Sequence, residues 1–291
     1  MGRIIRVFPR RTNATPTDAM AFVGDPPLWR PDADEVHVSC TFTWDMAEAE
    51  RLARLWARYY PVRLGGPAYD DAGGDFQPGM YLKPGYTITS RGCPNRCDYC
   101  LVPEREGRIR LLPIQSGWDL LDNNLLACPR PHIEAVLDMM AGQSHPAKFT
   151  GGIYARDVTE WFAKRLAGMR MEVLYVAYDR PEDRASVERA SRLFYDAFGW
   201  SAGQGRRKLG CYVLVGFKDD TDEQAIERLE FVKALGVTPF AMFYGGPERE
   251  RSDKAKAMKR RLRKWTRPWS AWAATETADQ RAEQRATEVM T

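Results

Sequence analysis

Three cysteines stand within eight residues, Cys93-Pro-Asn-Arg-Cys97-Asp-Tyr-Cys100, a C-x3-C-x2-C spacing. Thiolates are soft ligands, and three on one tight loop can hold three irons of a cubane cluster. No fourth cysteine lies nearby, so one iron would keep an open position. An open position is what separates a catalytic metal site from a structural one. The chain has six cysteines in 291 residues. Such sparse, clustered use argues against a disulfide framework and for a metal site in a reducing cytoplasm. A structural zinc loop that borrows Cys128, Cys40 or a histidine is the competing reading of the same residues.

The elements that must position this loop follow from hydrophobic patterning. Candidate strands are Tyr86–Thr89, Trp118–Leu121, Lys148–Gly151, Met171–Ala177, Leu209–Gly216 and Val237–Phe243. One intervening helix carries Val187, Ala190, Phe194, Ala197 and Phe198 on one face and stops at Gly199; another carries Ile226 and Leu229 and stops at Gly236. The run Cys211-Tyr-Val-Leu-Val215 is almost wholly apolar, as a parallel strand covered on both faces requires. Repeated strand–helix units of this kind build parallel sheets with right-handed crossovers. A closed eight-stranded barrel takes about 250 residues, so an open partial (β/α)6 barrel of the TIM type is the expected fold, with a doubly wound open sheet as the alternative. In either fold, chemistry belongs at the carboxyl ends of the strands, and the cysteine loop directly follows the first.

Ahead of this region, Arg3–Phe8 and Glu35–Cys40 read as strands, and Asp45-Met-Ala-Glu48 reads as a capping box that opens a helix running to about Tyr59. Val62–Leu64 is a short strand that ends in Gly65-Gly66-Pro67, and residues 70–79 are polar and glycine-rich, as in a linker. The expected organisation is a small α/β segment over 1–76, a barrel over 80–248, and a basic C-terminal helix and tail over 249–291. Residues 249–268 carry a net charge of +8 against +4 for the whole chain, so basicity belongs to this tail. Its Met258, Leu262 and Trp265 recur at helical spacing, which suits a helix packed by one face. A contact of residues 249–269 with phosphate backbone, with Trp265 and Trp269 as stacking surfaces, is the alternative. No run approaches the roughly 20 apolar residues of a membrane span, and the N-terminus has no secretory pattern, so a cytoplasmic location is expected.

The cysteine spacing, with the aromatic Tyr99 just before the last cysteine, resembles the signature of the radical S-adenosylmethionine (radical SAM) enzymes, whose fold is a six-unit partial barrel. The resemblance implies a 4Fe-4S cluster on Cys93, Cys97 and Cys100 whose open iron chelates the amino and carboxylate groups of SAM. Reduction by a flavodoxin or ferredoxin then cleaves SAM, and the resulting 5′-deoxyadenosyl radical abstracts a hydrogen atom from a substrate that the sequence does not identify. Where the family usually carries Gly-Gly-Glu to receive the SAM ammonium, this chain has Asp122-Asn123-Asn124, similar to an Asp-Asn variant in some cobalamin-type members; Asp122 and Asn124 offer acceptor oxygens. Asp179, after the fourth strand, matches the position of a ribose-binding group, and Arg156 is placed to anchor a carboxylate or to form a surface salt bridge. Gly216, in Val213-Leu-Val-Gly216-Phe-Lys-Asp219, is similar to the glycine of the adenine motif, and Met242, Phe243 and Tyr244 are candidates to pack on adenine or in the core. His132 and His145 read as loop or helix-start residues.

The N-terminal segment resembles a shortened, flavodoxin-like cobalamin-binding domain, mainly through its strand–helix–strand and Leu64-Gly65-Gly66-Pro67. It lacks the Asp-x-His-x-x-Gly ligand pattern, its nearest echo being His37 inside a strand, and it is short for such a domain, so cobalamin is not expected. A function of a different class remains open: a non-catalytic iron–sulfur or zinc module that binds nucleic acid through the basic segment.

Overall fold

The structure is a computed structural model that describes residues 2–71, 73–245 and 253–266. The chain divides into two compact units, with the boundary between Gly151 and Gly152.

The first unit opens with a four-stranded parallel sheet. Its strands are β1 (Ile4–Phe8), β2 (Ala21–Val23), β3 (Glu35–Ser39) and β4 (Val62–Gly65), in the order β2-β1-β3-β4. That order matches the opening strands of a flavodoxin-like sheet. One helix, α1 (Met46–Trp56), joins β3 to β4. Its Ala49, Leu52 and Trp56 are buried against Ile5, Val7, Val36 and Val38, so the apolar stripe of the helix meets the inward alternation of the strands. The expected capping box is not formed. Asp45 makes no cap hydrogen bond and instead takes both Nε and Nη2 of Arg10 at 2.5 Å each, while Glu48 pairs with Arg51. A bidentate guanidinium is a stronger partner for a carboxylate than one backbone N–H, and Arg10 is too remote in sequence to be read from local pattern. His37, in β3, has Nδ1 2.6 Å from the Tyr81 hydroxyl and Nε2 3.2 Å from Glu35 Oε1. Residues 70–79 hold no regular element among those described. The chain leaving them is latched to β1, because the buried Arg6 donates to the carbonyls of Gly79 (3.0 Å) and Met80 (3.3 Å) and pairs with Asp18.

The rest of this unit carries the first three expected strands of the second sheet: β5 (Tyr86–Thr87), β8 (Asp119–Leu120) and β9 (Ala147–Tyr154). They pair in parallel and in chain order, β8 between β5 and β9. β5 stops at Thr87, short of the expected Thr89, because the Thr89 N–H turns to a side-chain acceptor and the chain enters β6 (Ser90–Arg91). β6 pairs antiparallel with β7 (Arg110–Leu111), and α2 (Val102–Arg105) lies on the loop between them. The helix α3 (Arg130–Ala141) crosses from β8 to β9 and buries Ile133, Val136, Leu137 and Met140.

The second unit contains α4 (Glu160–Ala167), β10 (Met171–Tyr178), α5 (Arg184–Phe198), α6 (Ala202–Lys208), β11 (Leu209–Val215), α7 (Asp222–Ala234), β12 (Thr238–Phe243) and α8 (Asp253–Arg261). β10, β11 and β12 are parallel neighbours in chain order. Val213 and Val215 of β11 are fully buried, and so is Cys211, as the apolar run required. α5 ends at Gly199 in the left-handed conformation expected there. α6 and α7 each begin with a capping box, Ser201 with Gln204 and Thr221 with Gln224. At the C-terminal end Met258, Leu262 and Trp265 are all buried, so Trp265 is not available as the stacking surface the nucleic-acid alternative required; Trp269 lies outside the described residues. No helix among the described residues is long and apolar enough to cross a membrane.

Candidate functional site

The three cysteines occupy the loop that β6 and β7 close at its base, with Ser90 opposite Leu111 and Arg91 opposite Arg110. Within the loop the Cys100 N–H donates to the Cys97 carbonyl at 3.0 Å, a turn that folds these two residues together. The Cys93 N–H donates to the Gly107 carbonyl at 3.1 Å, tying the outgoing arm to the returning one. The entry turn is made at Gly92, whose φ is +82°. A Cβ there would lie 2.8 Å from the Gly107 carbonyl oxygen and closer still to that of Arg108, so the two arms approach through the space a side chain would fill. The Gly92 N–H is shared between Glu106 Oε2 and Asn123 Oδ1, both at 3.1 Å, and Glu106 also pairs with Arg91 at 3.3 Å.

None of the six cysteines is in a disulfide, and they fall into two classes. Cys40, Cys128 and Cys211 are buried, and burial pushes each thiol above its ordinary range. Cys93, Cys97 and Cys100 are half-buried on the pinned loop. Three partly exposed thiols on one loop are a donor set suited to three irons of a cluster.

The Asp122-Asn123-Asn124 segment sits beside this loop, and its members do three different things. Asp122 is buried and both its oxygens accept hydrogen bonds: Oδ1 accepts the Thr89 N–H at 2.6 Å, and Oδ2 accepts the Thr89 and Ser90 hydroxyls at 2.7 Å each. Asn123 holds Gly92. Asn124, only 4% exposed, directs Nδ2 at the Cys93 sulfur at 3.5 Å, while its Oδ1 is buried without a hydrogen-bond partner. A buried acceptor left unmatched costs about 1–3 kcal/mol, which an incoming N–H donor would recover. Of the two residues expected to receive an ammonium, Asp122 already accepts hydrogen bonds on both oxygens, whereas Asn124 Oδ1 is open.

Tyr99 is half-buried on the loop, between Asp98 and Cys100. The other expected site residues lie in the second unit. Arg156 donates through Nε to the buried Asp183 at 2.7 Å, and that carboxylate raises the guanidinium above its usual range. Asp179 is half-buried immediately after β10. Gly216 follows β11 with φ +79°, and its N–H donates to Asp220 Oδ2 at 2.7 Å. Asp220 in turn takes both Nη atoms of the buried Arg228, at 3.0 and 2.7 Å, which locks the turn. Met242 is 44% exposed, whereas Tyr244 stacks edge-on against Phe217.

His132 stands in the first turn of α3, the helix-start position expected of it. Its Nε2 is 3.3 Å from Thr89 Oγ1, and His132, Cys128 and Asp122 each place one ligand atom within 4.8 Å of the others. The signal was present as Cys128-x3-His132, a spacing that joins the end of a loop to the first turn of a helix, but Asp122 joins them only through the fold.

No protein-family model matches the sequence, and no curated protein matches it. Among solved structures the chain is similar to TsrM from Kitasatospora setae, a radical S-adenosylmethionine methyltransferase determined with its tryptophan substrate and the SAM analogue aza-SAM. The match covers 82% of this chain and 72% of that one at 14% identity, with a TM-score of 0.50. At that identity the likeness is one of fold: mixed α/β with parallel sheets, as in a radical SAM protein.

Proposed function

We propose that this protein is a radical SAM enzyme whose barrel, a six-unit partial barrel over about residues 80–248, carries a 4Fe-4S cluster on Cys93, Cys97 and Cys100. The observation that carries the reading is the pinned three-thiol loop beside a buried, unmatched acceptor, Asn124 Oδ1. The fold likeness to TsrM supports it. When bound and reduced, the cluster supplies the electron that cleaves SAM to methionine and a 5′-deoxyadenosyl radical able to take a hydrogen atom from substrate.

The chain's own residues perform three tasks. Gly92, Glu106 and Asn123 fix the loop so that the thiols are presented together. Asn124 Nδ2 donates to the Cys93 sulfur, and Oδ1 accepts from the SAM ammonium. A reduced flavodoxin or ferredoxin is the proposed electron donor. The fold neighbour transfers methyl groups, so methyl transfer is the second reaction to test.

The test is anaerobic reconstitution with iron and sulfide, then dithionite and SAM, with 5′-deoxyadenosine and S-adenosylhomocysteine both quantified. 5′-Deoxyadenosine that disappears in the Cys93/Cys97/Cys100→Ala variant supports hydrogen abstraction. S-adenosylhomocysteine in its place assigns methyl transfer. An intact cluster that neither binds nor turns over SAM overturns the proposal.

A further inference from the structure

Behind the cysteine loop lies a second group of ligand-type side chains, all in the first unit. Asp122 follows β8, Cys128 ends the loop after it, and His132 stands in the first turn of α3. Each offers one atom, and those atoms lie within 4.8 Å of one another. Asp122 and Cys128 are buried and His132 is half-buried. We infer that Asp122, Cys128 and His132 form a binding site for a single divalent cation of the borderline class, zinc or ferrous iron, separate from the three-cysteine loop.

The donor set is one thiolate, one imidazole and one carboxylate, the mixed S/N/O combination these ions accept in four-coordinate sites. The spacing is locally chelating, since Cys128 and His132 are four residues apart across a helix start. The surroundings match what such a site needs around its ligands. The Thr89 and Ser90 hydroxyls already donate to Asp122 Oδ2 at 2.7 Å, which orients the carboxylate, and Oδ1 accepts only the Thr89 N–H among the described residues. Two lone pairs on each oxygen leave Oδ1 room for a cation. Binding requires Cys128 to release its thiol proton to solvent and His132 to bind as the neutral imidazole, so no oxidant or reductant is involved. A cation here would staple the start of α3 to the Thr89–Ser90 segment from which the cysteine loop departs. The inference stands whether or not the loop carries a cluster.

Cobalt(II) is the probe, because a thiolate ligand gives it a charge-transfer band. In the Cys93/Cys97/Cys100→Ala variant, one equivalent of Co2+ with that band is expected. The band should vanish on adding Cys128→Ala, and the affinity should fall at least tenfold on adding His132→Ala. Should the triple variant not fold, the same changes are made in the otherwise unaltered chain, where purified metal content should drop by one equivalent relative to the parent. A triple variant that folds but binds no Co2+, a thiolate band that survives Cys128→Ala, or an unchanged metal content in the intact chain overturns the site.

Discussion

Replacing Gly92 with alanine separates the geometry of the cysteine loop from its composition. At φ +82° a side chain costs roughly 1–2 kcal/mol from conformation alone. The new Cβ would also press on the carbonyl oxygens of Gly107 and Arg108. Both are backbone atoms in the returning arm, so relief means prising apart the short β6–β7 ladder. Overpacking of this kind adds about 1–3 kcal/mol. Gly107→Ala is the matched control, because Gly107 has φ +72° but open space where its Cβ would stand. The two variants share the conformational cost and differ by the clash, and about 1–3 kcal/mol corresponds to about 5- to 150-fold in the population of the closed loop. The assay is iron and sulfide bound per chain after anaerobic reconstitution over graded iron concentrations, with thermal unfolding alongside. Gly92→Ala should require that much more iron for half-loading than Gly107→Ala. Equal loading of the two variants would refute the claim that close approach at Gly92 holds the thiols in place.

Three further outcomes are expected. Asn124→Leu removes the open buried acceptor and should weaken SAM binding by about tenfold, about 1.4 kcal/mol, in equilibrium dialysis against the reconstituted protein; unchanged binding removes Asn124 from the SAM site. In the metal-free chain, brief alkylation at neutral pH followed by peptide mapping should label Cys93, Cys97 and Cys100 and spare Cys40, Cys128 and Cys211, whose burial both shields them and lowers their thiolate fraction. The Cys211 thiol is raised well above its ordinary value by burial, so its contribution to stability is complete below the unfolded-state pKa near 8.5 and declines as pH rises above it. Denaturation midpoints should therefore fall above about pH 8.5, less steeply in Cys211→Val, and parallel curves for the two proteins would contradict this.

Much of the fold was legible because buried parallel strands advertise themselves. Leu209–Val215 and Met171–Tyr178 are apolar runs that leave little choice of element, and Gly199 marks a helix end by its conformation. The cysteine loop was legible for the same reason: its spacing is a local property. What local pattern concealed are pairings set by distant chain. Asp45 has the type and position of a helix cap, yet Arg10 outcompetes the helix for it. Asp122 and Asn124 look equivalent in sequence, but only the fold brings Thr89 and Ser90 onto one and leaves the other open. The two-residue ladder of β6 and β7 is too short for any periodicity to show, though it closes the loop that carries the cysteines. His132 was read only as a loop or helix-start residue because its neighbours arrive from Asp122 and Thr89.

Thr89 takes part in four of these links at once. Its carbonyl accepts from Leu112, its N–H and hydroxyl both reach Asp122, and the hydroxyl oxygen lies beside His132. A change at Asp122 or His132 therefore bears on Thr89 at the root of the cysteine loop, and Asn123 and Asn124 reach Gly92 and Cys93 directly. The segments 89–93 and 122–132 form a single inheritable cassette. Anyone grafting this loop into another scaffold, or recombining it between homologues, would have to carry both pieces together, since either one alone arrives with its anchor missing.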